Sequence, residues 1–538
     1  MEYTSADYYY DDIRRCLTTT QYDIRRRCSM AYRLFVELMN ETTADAPASF
    51  SGAFSRLHYL HAQRGFSDTL YHAANDFRVR WRRADELTEA ELTDRLPGDL
   101  RALADLVAGL KQAPVPAELA ALLPRHLTAV QSPEPLSEKC LRVVVDAVRS
   151  HELTVSPTDA NSDTEFQLPL APDAAGGRDF RYLLELVEPG MQLNLVAVRR
   201  EGHRLFPELV ILEPDYLVNV TAIAQCIART GTCSEWNVLK KFDPFVTSQH
   251  TLLGSLSGQM LDEEVHGLEA GYADTARRFF SDHALEFAAC DFDRQEFHAQ
   301  AQQQQRNLRN LSQNTFKHQL HLSDEEGVCI EPSFFCEMLG LQGRIDLMKP
   351  DGSVVVEQKS GKIDEFNRTA LREHELQLML YMAMRHYVFG QSYSRLQGYL
   401  LYSRYADERS IWPIPNAPDR LREAFRLRNE IVAREEQFAR TGMRDFIAQL
   451  TPDQLHRPGQ ADSLWNKYIR PQVETLLAPF HTADPTALTY FYRFHRFLVR
   501  EDLLSRFGSS GKEASGFAAA WQCTTAEKRE VGNILTDL

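Results

Sequence analysis

Apolar and polar positions change their rhythm several times along the chain. Through residues 1–165 apolar residues recur three and four apart, the spacing of helices with one buried stripe; the Ala/Leu-rich run 100–123 is the clearest case, broken near Pro114 and Pro116. Residues 156–178, with frequent Pro, Asp, Asn, Gly and Ser, read as a linker. The period then shifts to two. Met191-Gln-Leu-Asn-Leu-Val-Ala-Val198 alternates, Arg199-Arg-Glu-Gly-His203 reads as a turn, and 209–212 and 216–221 continue a small, barrel-like β-unit over 180–225. Helical spacing returns over 250–322, where Gln302 to Gln305 reads as a solvated face without function. Strands follow from 328 to 359, then a long helix over 369–389 and a strand over 398–405. Past a proline-rich joint at 412–418 the chain reads as helix to its end.

These changes predict four regions: a helical 1–165, a small β-rich domain at 166–245, a mixed α/β domain at 246–412 and a helical 413–538. A length of 538 residues suits that number at about 150 residues per domain. Composition, 43% hydrophobic and 25% charged, is that of a soluble globular protein, and no run approaches the roughly 18 apolar residues of a membrane span. The acidic, signal-free N-terminus predicts a cytoplasmic protein. A net charge of -15 argues against coating nucleic acid by bulk charge and leaves room for a local basic groove. Nine cysteines make no disulfide framework. Cys226 and Cys233, like Cys329 and Cys336, are seven apart, poor zinc spacing, so buried thiols and no structural zinc are expected. Gly508-Ser-Ser-Gly-Lys512 is too short for a phosphate loop, and no ATPase motif is present.

The chemistry concentrates in Gly343-Arg-Ile-Asp-Leu-Met-Lys-Pro-Asp-Gly-Ser-Val-Val-Val-Glu-Gln-Lys359. Lys349-Pro-Asp-Gly352 is a turn by composition, so the flanking runs pair as antiparallel strands. Alternation puts Val355, Glu357 and Lys359 on one face. Two charged groups at the end of an apolar strand are costly to bury unless paired or bound to an ion. Asp346, on the partner strand, can bring a second carboxylate close. Two hard carboxylates hold Mg²⁺ or Mn²⁺ while leaving positions for water and a phosphate oxygen, and a lysine adds positive charge. Farther on, Gln377 and Tyr381 are four apart on a helix and share a face.

Gly343, Asp346, Glu357, Lys359, Gln377 and Tyr381 resemble, in order and spacing, the PD-(D/E)XK nuclease superfamily. More narrowly they resemble its RecB-like branch, with the pattern G-x-x-D, [DE]-x-K, Q-x-x-x-Y; the likeness spans 331–405. It implies an α/β fold: a restriction-endonuclease-like core, a mixed sheet flanked by helices, at 246–412, with the small β-rich unit and the helical N- and C-terminal regions around it. It implies a deoxyribonuclease dependent on Mg²⁺ or Mn²⁺ that hydrolyses phosphodiesters at DNA ends or single-stranded flaps, in DNA repair or phage defence. Asp346 and Glu357 would be metal ligands, Lys359 the catalytic lysine, and Gln377 and Tyr381 would position phosphate or water. Members of the branch are often joined to a helicase, so a helicase partner is expected. The stop at Asn533-Ile-Leu-Thr-Asp-Leu538, in what reads as mid-helix, fits the nuclease part of a longer helicase–nuclease.

Two departures stand out. Many members carry a helix-borne His ahead of the core; here Gly258 stands at that place, with Asp262, Glu263, Glu264 and His266 just beyond. Any of these could substitute or form a solvated acidic face, and Glu331 is either another ligand or an ordinary strand-end charge. Some relatives hold an iron–sulfur cluster with three cysteines after the core, whereas only Cys523 follows it here, so no cluster is expected. For DNA, Lys362 and Arg368 are the first candidates. Arg14, Arg15, Arg25 to Arg27, and Arg78, Arg80, Arg82 and Arg83 around Trp81 form an N-terminal candidate track. Arg493, Arg496 and Arg500 share a helical face, with Phe491, Phe494 and Leu498 on another; this is a grip for single strands or an amphipathic helix with a core stripe. The rival function is a catalytically inactive DNA-end-binding subunit that scaffolds a helicase complex.

Overall fold

The computed structural model describes residues 5–44, 53–64, 66–82, 84, 87–127, 139–158, 165–172, 177–228, 231–242, 247–268, 271–320, 322, 327–456, 460–508 and 516–535. Two compact units divide the chain. The first comprises Met1–Tyr216, Val432–Met443 and Tyr490–Leu538, the second Leu217–Ile431 and Arg444–Thr489. The sequence expectation for Gly508-Ser-Ser-Gly-Lys512 falls mostly outside the described residues.

The first unit opens with five helices: α1 (Ala6–Thr18), α2 (Ile24–Thr42), α3 (Ala53–Arg64), α4 (Asp68–Arg82) and α5 (Glu89–Lys111). Ser5, Asp23 and Thr88 cap α1, α2 and α5, each accepting a backbone N–H that the first turn cannot satisfy itself. Their apolar stripes meet around Phe35, Leu38, Leu100 and Leu103, all fully buried. Trp81 packs inside this bundle, its ring centroid 5.7 Å from that of Tyr32. Within the N-terminal arginine track Arg26 is exposed, but Arg25, Arg27, Arg78 and Arg80 are held by other groups of the unit. Arg25 donates to the carbonyls of Ala84 (2.7 Å) and Leu87 (2.9 Å), and Arg27 to those of Cys16 and Leu17, both 2.7 Å. Arg78 is buried against Asn75 and the Thr158 carbonyl, and Arg80 pairs with Asp99. These guanidiniums satisfy carbonyls and a carboxylate that would otherwise be orphaned. Arg14 and Arg15 pair with Glu118 and Asp12 at the surface, while Arg83 and the Arg82 side chain lie outside the described residues.

A seven-stranded sheet follows, built from β1 (Cys140–Val148), β2 (Glu152–Pro157), β3 (Phe166–Pro169), β4 (Gln192–Val196), β5 (Arg199–Glu201), β6 (Arg204–Phe206) and β7 (Leu209–Leu212) in the order β5-β6-β3-β2-β1-β4-β7. The sheet corrects two sequence expectations. Residues 140–157 are strands rather than helix, because Val143, Val144 and Val145 favour extended backbone and pair antiparallel with 155–157. The stretch 156–178, expected as linker, contributes β3, whose Phe166 and Leu168 are buried. The helix Pro485–Phe507 brings a third. Val499 is its buried residue, while Phe494 and Leu498 are exposed at 47% and 48%, so the core-stripe reading does not hold for them. Arg493 and Arg500 are exposed too, whereas Arg496 donates to the carbonyls of Ala439 (3.0 Å) and Arg440 at the end of the helix Pro418–Thr441.

The second unit opens with β8 (Val218–Asn219) and the short pair β9 (Ile227–Ala228) and β10 (Gly231–Thr232). The longer helices that follow are α6 (Gln249–Val265), α7 (Tyr272–Asp282) and α8 (Arg294–Leu311). Then come β11 (Cys329–Ile330), β12 (Ser333–Cys336), β13 (Leu341–Arg344), β14 (Leu347–Met348) and β15 (Val354–Lys359). After α9 (Arg372–Ala383) the chain adds β16 (Gln397–Tyr402) and β17 (Ile411–Ile414). A mixed sheet runs β11-β14-β15-β16-β17, and a smaller one runs β12-β13-β8. Leu252, Leu256 and Met260 of α6 and Phe297 and Leu308 of α8 cover one face of the mixed sheet, over Leu347, Val354, Val356 and Leu401. Helix α9 covers the other, so closely at Gly398 that an added Cβ would meet Met382. It links the parallel pair β15–β16, the usual task of a crossover helix. The joint expected at 412–418 starts instead with edge strand β17, where Pro413 leaves no ladder donor unmet. Among the described residues no helix is long and apolar enough to cross a membrane.

Candidate active site

The site forms where two strands change sheets together. β13 hands over to β14 at Ile345–Asp346, and β11 to β12 at Glu331–Pro332. The two bends are tied: Glu331 N–H donates to the Asp346 carbonyl (2.9 Å) and Ile345 N–H to the Pro332 carbonyl (3.1 Å). Asp346 therefore sits on a bend at the strand end, not within a strand as its hairpin spacing suggested. Glu331 holds a left-handed φ of 48°, a conformation that costs a non-glycine residue energy and that recurs at functional sites.

β15 supplies Glu357 and Lys359 to the face under α9. Val354 to Val356 are buried, and Glu357 follows at 3% exposure. Lys359 Nζ donates to Glu357 Oε1 (2.8 Å) and to Gln377 Oε1 (3.0 Å), while Gln377 Nε2 donates to the same Glu357 Oε1 (2.7 Å). The three groups close a triangle and leave Glu357 Oε2 buried without a protein partner. Burial lifts the Glu357 carboxyl to about 7, against the pull of Lys359 and with a further push from Asp346. Asp346 is raised by burial as well, although Gln358 N–H donates to its Oδ2 at 2.6 Å.

α9 carries Gln377 and Tyr381 four residues apart, on one face as their spacing predicted. The Tyr381 hydroxyl donates to the Arg344 carbonyl (2.8 Å), which commits it to the strand end beside Asp346. A Cβ at Gly343 would stand 2.8 Å from Tyr381 Cε1, so only glycine lets this ring lie against β13.

Asp262 and Glu263, adjacent on α6, separate. Asp262 is lifted to about 6 by burial and by the charges of Glu331 and Asp346, so it lies within reach of their fields. Glu263 is turned away: Arg278 (2.7 Å), Gln259 (3.1 Å) and Thr275 take its oxygens. Glu264 pairs with Arg309 at 2.9 Å, and His266 Nδ1 meets the Asp262 carbonyl at 2.8 Å. Glu331 is paired with Arg344 at 2.8 Å. In the loop after β15, Asp364 accepts the N–H groups of Phe366 (3.1 Å) and Asn367 (3.0 Å). That pins a turn from which Lys362 and Arg368 project exposed, Lys362 being 3.4 Å from Glu365.

Gln304 and Gln305, expected on a solvated face, are 2% and 8% exposed. Gln304 accepts from Ser403 Oγ (2.7 Å) and donates to the Ser360 carbonyl (3.3 Å). Ser403 in turn meets Ser257 Oγ (2.9 Å), which accepts from Gln358 Nε2 (2.7 Å). This polar layer locks α6 and α8 to the ends of β15 and β16. Sequence reading missed it because each pair is remote in the chain, although the polar run Gln302 to Gln305 inside an otherwise core-facing helix was a visible signal.

Divalent-metal chemistry has a partial fit. Among the described residues no three His, Cys, Asp or Glu side chains converge into a ready-made cage. The donor set nonetheless suits a hard cation: a buried orphan oxygen on Glu357, with Asp346 near it and Asp262 raised by its acidic neighbours. Magnesium in particular binds through one or two carboxylates, completing its shell with water and substrate phosphate.

Residues 246–486 match the PD-(D/E)XK nuclease superfamily. The chain carries a domain of that superfamily. No curated protein matches the chain. The mixed sheet between α6/α8 and α9 is the core of this nuclease-superfamily domain, with helical regions around it.

Proposed function

We propose that the protein is a divalent-metal-dependent DNA nuclease of the RecB-like branch, with Asp346, Glu357 and Lys359 at its catalytic centre. The observation that carries this is the buried Glu357 whose Oε2 has no protein partner while Lys359 and Gln377 bind its other oxygen. A buried carboxylate oxygen without a partner is expensive unless a ligand claims it. Asp346 and Glu357 would hold the ion, with Asp262 as a third carboxylate in place of the helix His. When bound, Mg²⁺ or Mn²⁺ makes its water acidic and neutralises charge gathering on the phosphate.

The remaining steps belong to the protein. The Lys359 ammonium has three N–H donors, and Glu357 and Gln377 take two. The third is left to orient the attacking water or a phosphate oxygen. Gln377 keeps that ammonium from turning away, and Tyr381, through the Arg344 carbonyl, fixes the bend that presents Asp346. Lys362 and Arg368 would meet the DNA backbone, as would Arg493 and Arg500; Tyr490 and Phe494, both exposed and stacked with centroids 5.8 Å apart, offer faces to bases. Action on ends or single-stranded flaps, with a helicase, in repair or phage defence, rests on the RecB-like pattern.

The test is cleavage of end-labelled single-stranded, duplex and flapped DNA in Mg²⁺, Mn²⁺ or EDTA, beside Glu357→Ala and Lys359→Ala. The reading expects metal-dependent products that both variants lose by at least about a hundredfold. One observation favours the second reading, a DNA-end-binding subunit without turnover: the absence of a three-residue cage among the described residues. That subunit would bind DNA equally with Mn²⁺ or EDTA and never shorten it.

A further inference from the structure

We propose that His374 is a further phosphate-contacting residue of this site, its Nε2–H donating to a non-bridging oxygen of the phosphodiester being cut; the proposal rests on the nuclease reading above. His374, Gln377 and Tyr381 are spaced three and four apart on α9 and so form one stripe. Gln377 shows where the stripe points, since its amide closes on Glu357 and Lys359. His374 lies one turn nearer the helix N-terminus. Its Nδ1 is 2.9 Å from the hydroxyl of Tyr402, the register partner of Lys359 in the parallel pair β15–β16. Register partners leave the same face of a sheet, so Lys359, Tyr402 and His374 share one side of the core.

The hydrogen bonds around Tyr402 decide which imidazole nitrogen carries the proton. The Tyr402 hydroxyl accepts the Leu371 N–H at 3.1 Å, and among the described residues its own hydrogen finds one acceptor, His374 Nδ1. Nδ1 is therefore the acceptor, and Nε2 carries the hydrogen. Burial, with the Lys359 charge close by, keeps the ring neutral. No described residue accepts from Nε2.

A half-buried imidazole with one nitrogen locked and the other N–H unclaimed, within reach of the Lys359 charge, suits one task. It can bind a phosphate oxygen without being drawn to Glu357 as a cation would be. Such a donor supports the charge that develops on the phosphoryl group without exchanging a proton. Tyr402 is then a positioning residue that sets the tautomer.

The experiment is steady-state cleavage in Mn²⁺ of a short DNA strand with one cleavable linkage, made with oxygen or with Rp or Sp phosphorothioate, by wild type, His374→Ala, His374→Gln and Tyr402→Phe. Sulfur is a poor hydrogen-bond acceptor, so wild type should lose rate with one isomer. His374→Ala should lower kcat on the oxygen substrate by about a hundredfold at similar KM and abolish the penalty for that isomer. His374→Gln, which keeps an N–H donor, should recover part of the rate. Tyr402→Phe keeps the ring and frees its tautomer, and should lose about tenfold in kcat with a reduced thio penalty. A wild type that cuts while His374→Ala keeps its kcat, or loses rate but keeps the thio penalty, overturns this inference alone. A wild type that leaves the oxygen strand whole in both Mg²⁺ and Mn²⁺ overturns the nuclease reading and this inference with it.

Discussion

Asp262 and Glu263 are consecutive on α6 and meet opposite surroundings, the first facing the acids Glu331 and Asp346, the second closed on Arg278 at 2.7 Å. Asp262→Asn should weaken Mn²⁺ binding while the metal-free protein melts no lower, because crowded like charge is relieved. Glu263→Gln should do the reverse, lowering stability by about 1–2 kcal/mol through its Arg278 and Thr275 bonds while leaving metal affinity intact. Calorimetric Mn²⁺ titration and denaturant melts of both variants check the split. Loss of Mn²⁺ affinity in Glu263→Gln alone would reverse the assignment.

Glu357 sets a pH window. Its carboxyl moves from the ordinary 4.5 to about 7 through burial. Between those values the folded chain holds a proton that the unfolded chain has released, so metal-free stability falls as pH rises through the window. A divalent cation needs the ionised form and gains affinity over the same span, levelling off above about 7. The thermal shift produced by Mn²⁺ should therefore be larger above that point than below it, and Glu357→Gln should flatten the difference. A shift equal on both sides in the wild type would speak against Glu357 as a ligand.

The clearance at Gly343 makes a packing prediction. Ala at this position places a methyl 2.8 Å from Tyr381 Cε1, in a buried ring that cannot swing aside cheaply. Gly343→Ala should cost about 1–3 kcal/mol, as overpacking does. Tyr381→Ala removes the obstacle, so the two together should cost less than their sum. Additive losses in urea melts would show that the ring and the glycine are independent.

On the helix Pro485–Phe507 the three arginines should part ways. Arg493→Ala and Arg500→Ala should each weaken single-strand binding and reduce its salt slope by about 0.7, one released counterion per phosphate contact. Arg496→Ala, which removes donors from the Ala439 and Arg440 carbonyls, should act on stability instead. Fluorescence anisotropy across a salt series distinguishes them.

What could be read from sequence was what is local. The turn at Lys349 to Gly352 fixes the pairing of β14 with β15, and helical spacing puts Gln377 beside Tyr381, so the motif residues were legible as a group. Partners far away in the chain decided the rest. Gln304 reads as solvated until Ser403, 99 residues on, is set against it. Arg25 reads as a DNA contact until the Ala84 carbonyl, 59 residues on, claims it. The bend at Asp346 was hidden because the group tied to it, Glu331, lies at a separate bend between β11 and β12.

The triangle of Glu357, Lys359 and Gln377 also bears on how such a centre could decay. Each member hydrogen-bonds to the other two, while Glu357 Oε2 stays open to a ligand. Replacing any one strands a buried charge or amide, a penalty of about 1–3 kcal/mol or more that falls on folding itself. A lineage drifting toward a silent scaffold would first cross a destabilised ancestor, unless all three positions turned apolar nearly together. On that ground, related chains should hold either all three residues or none.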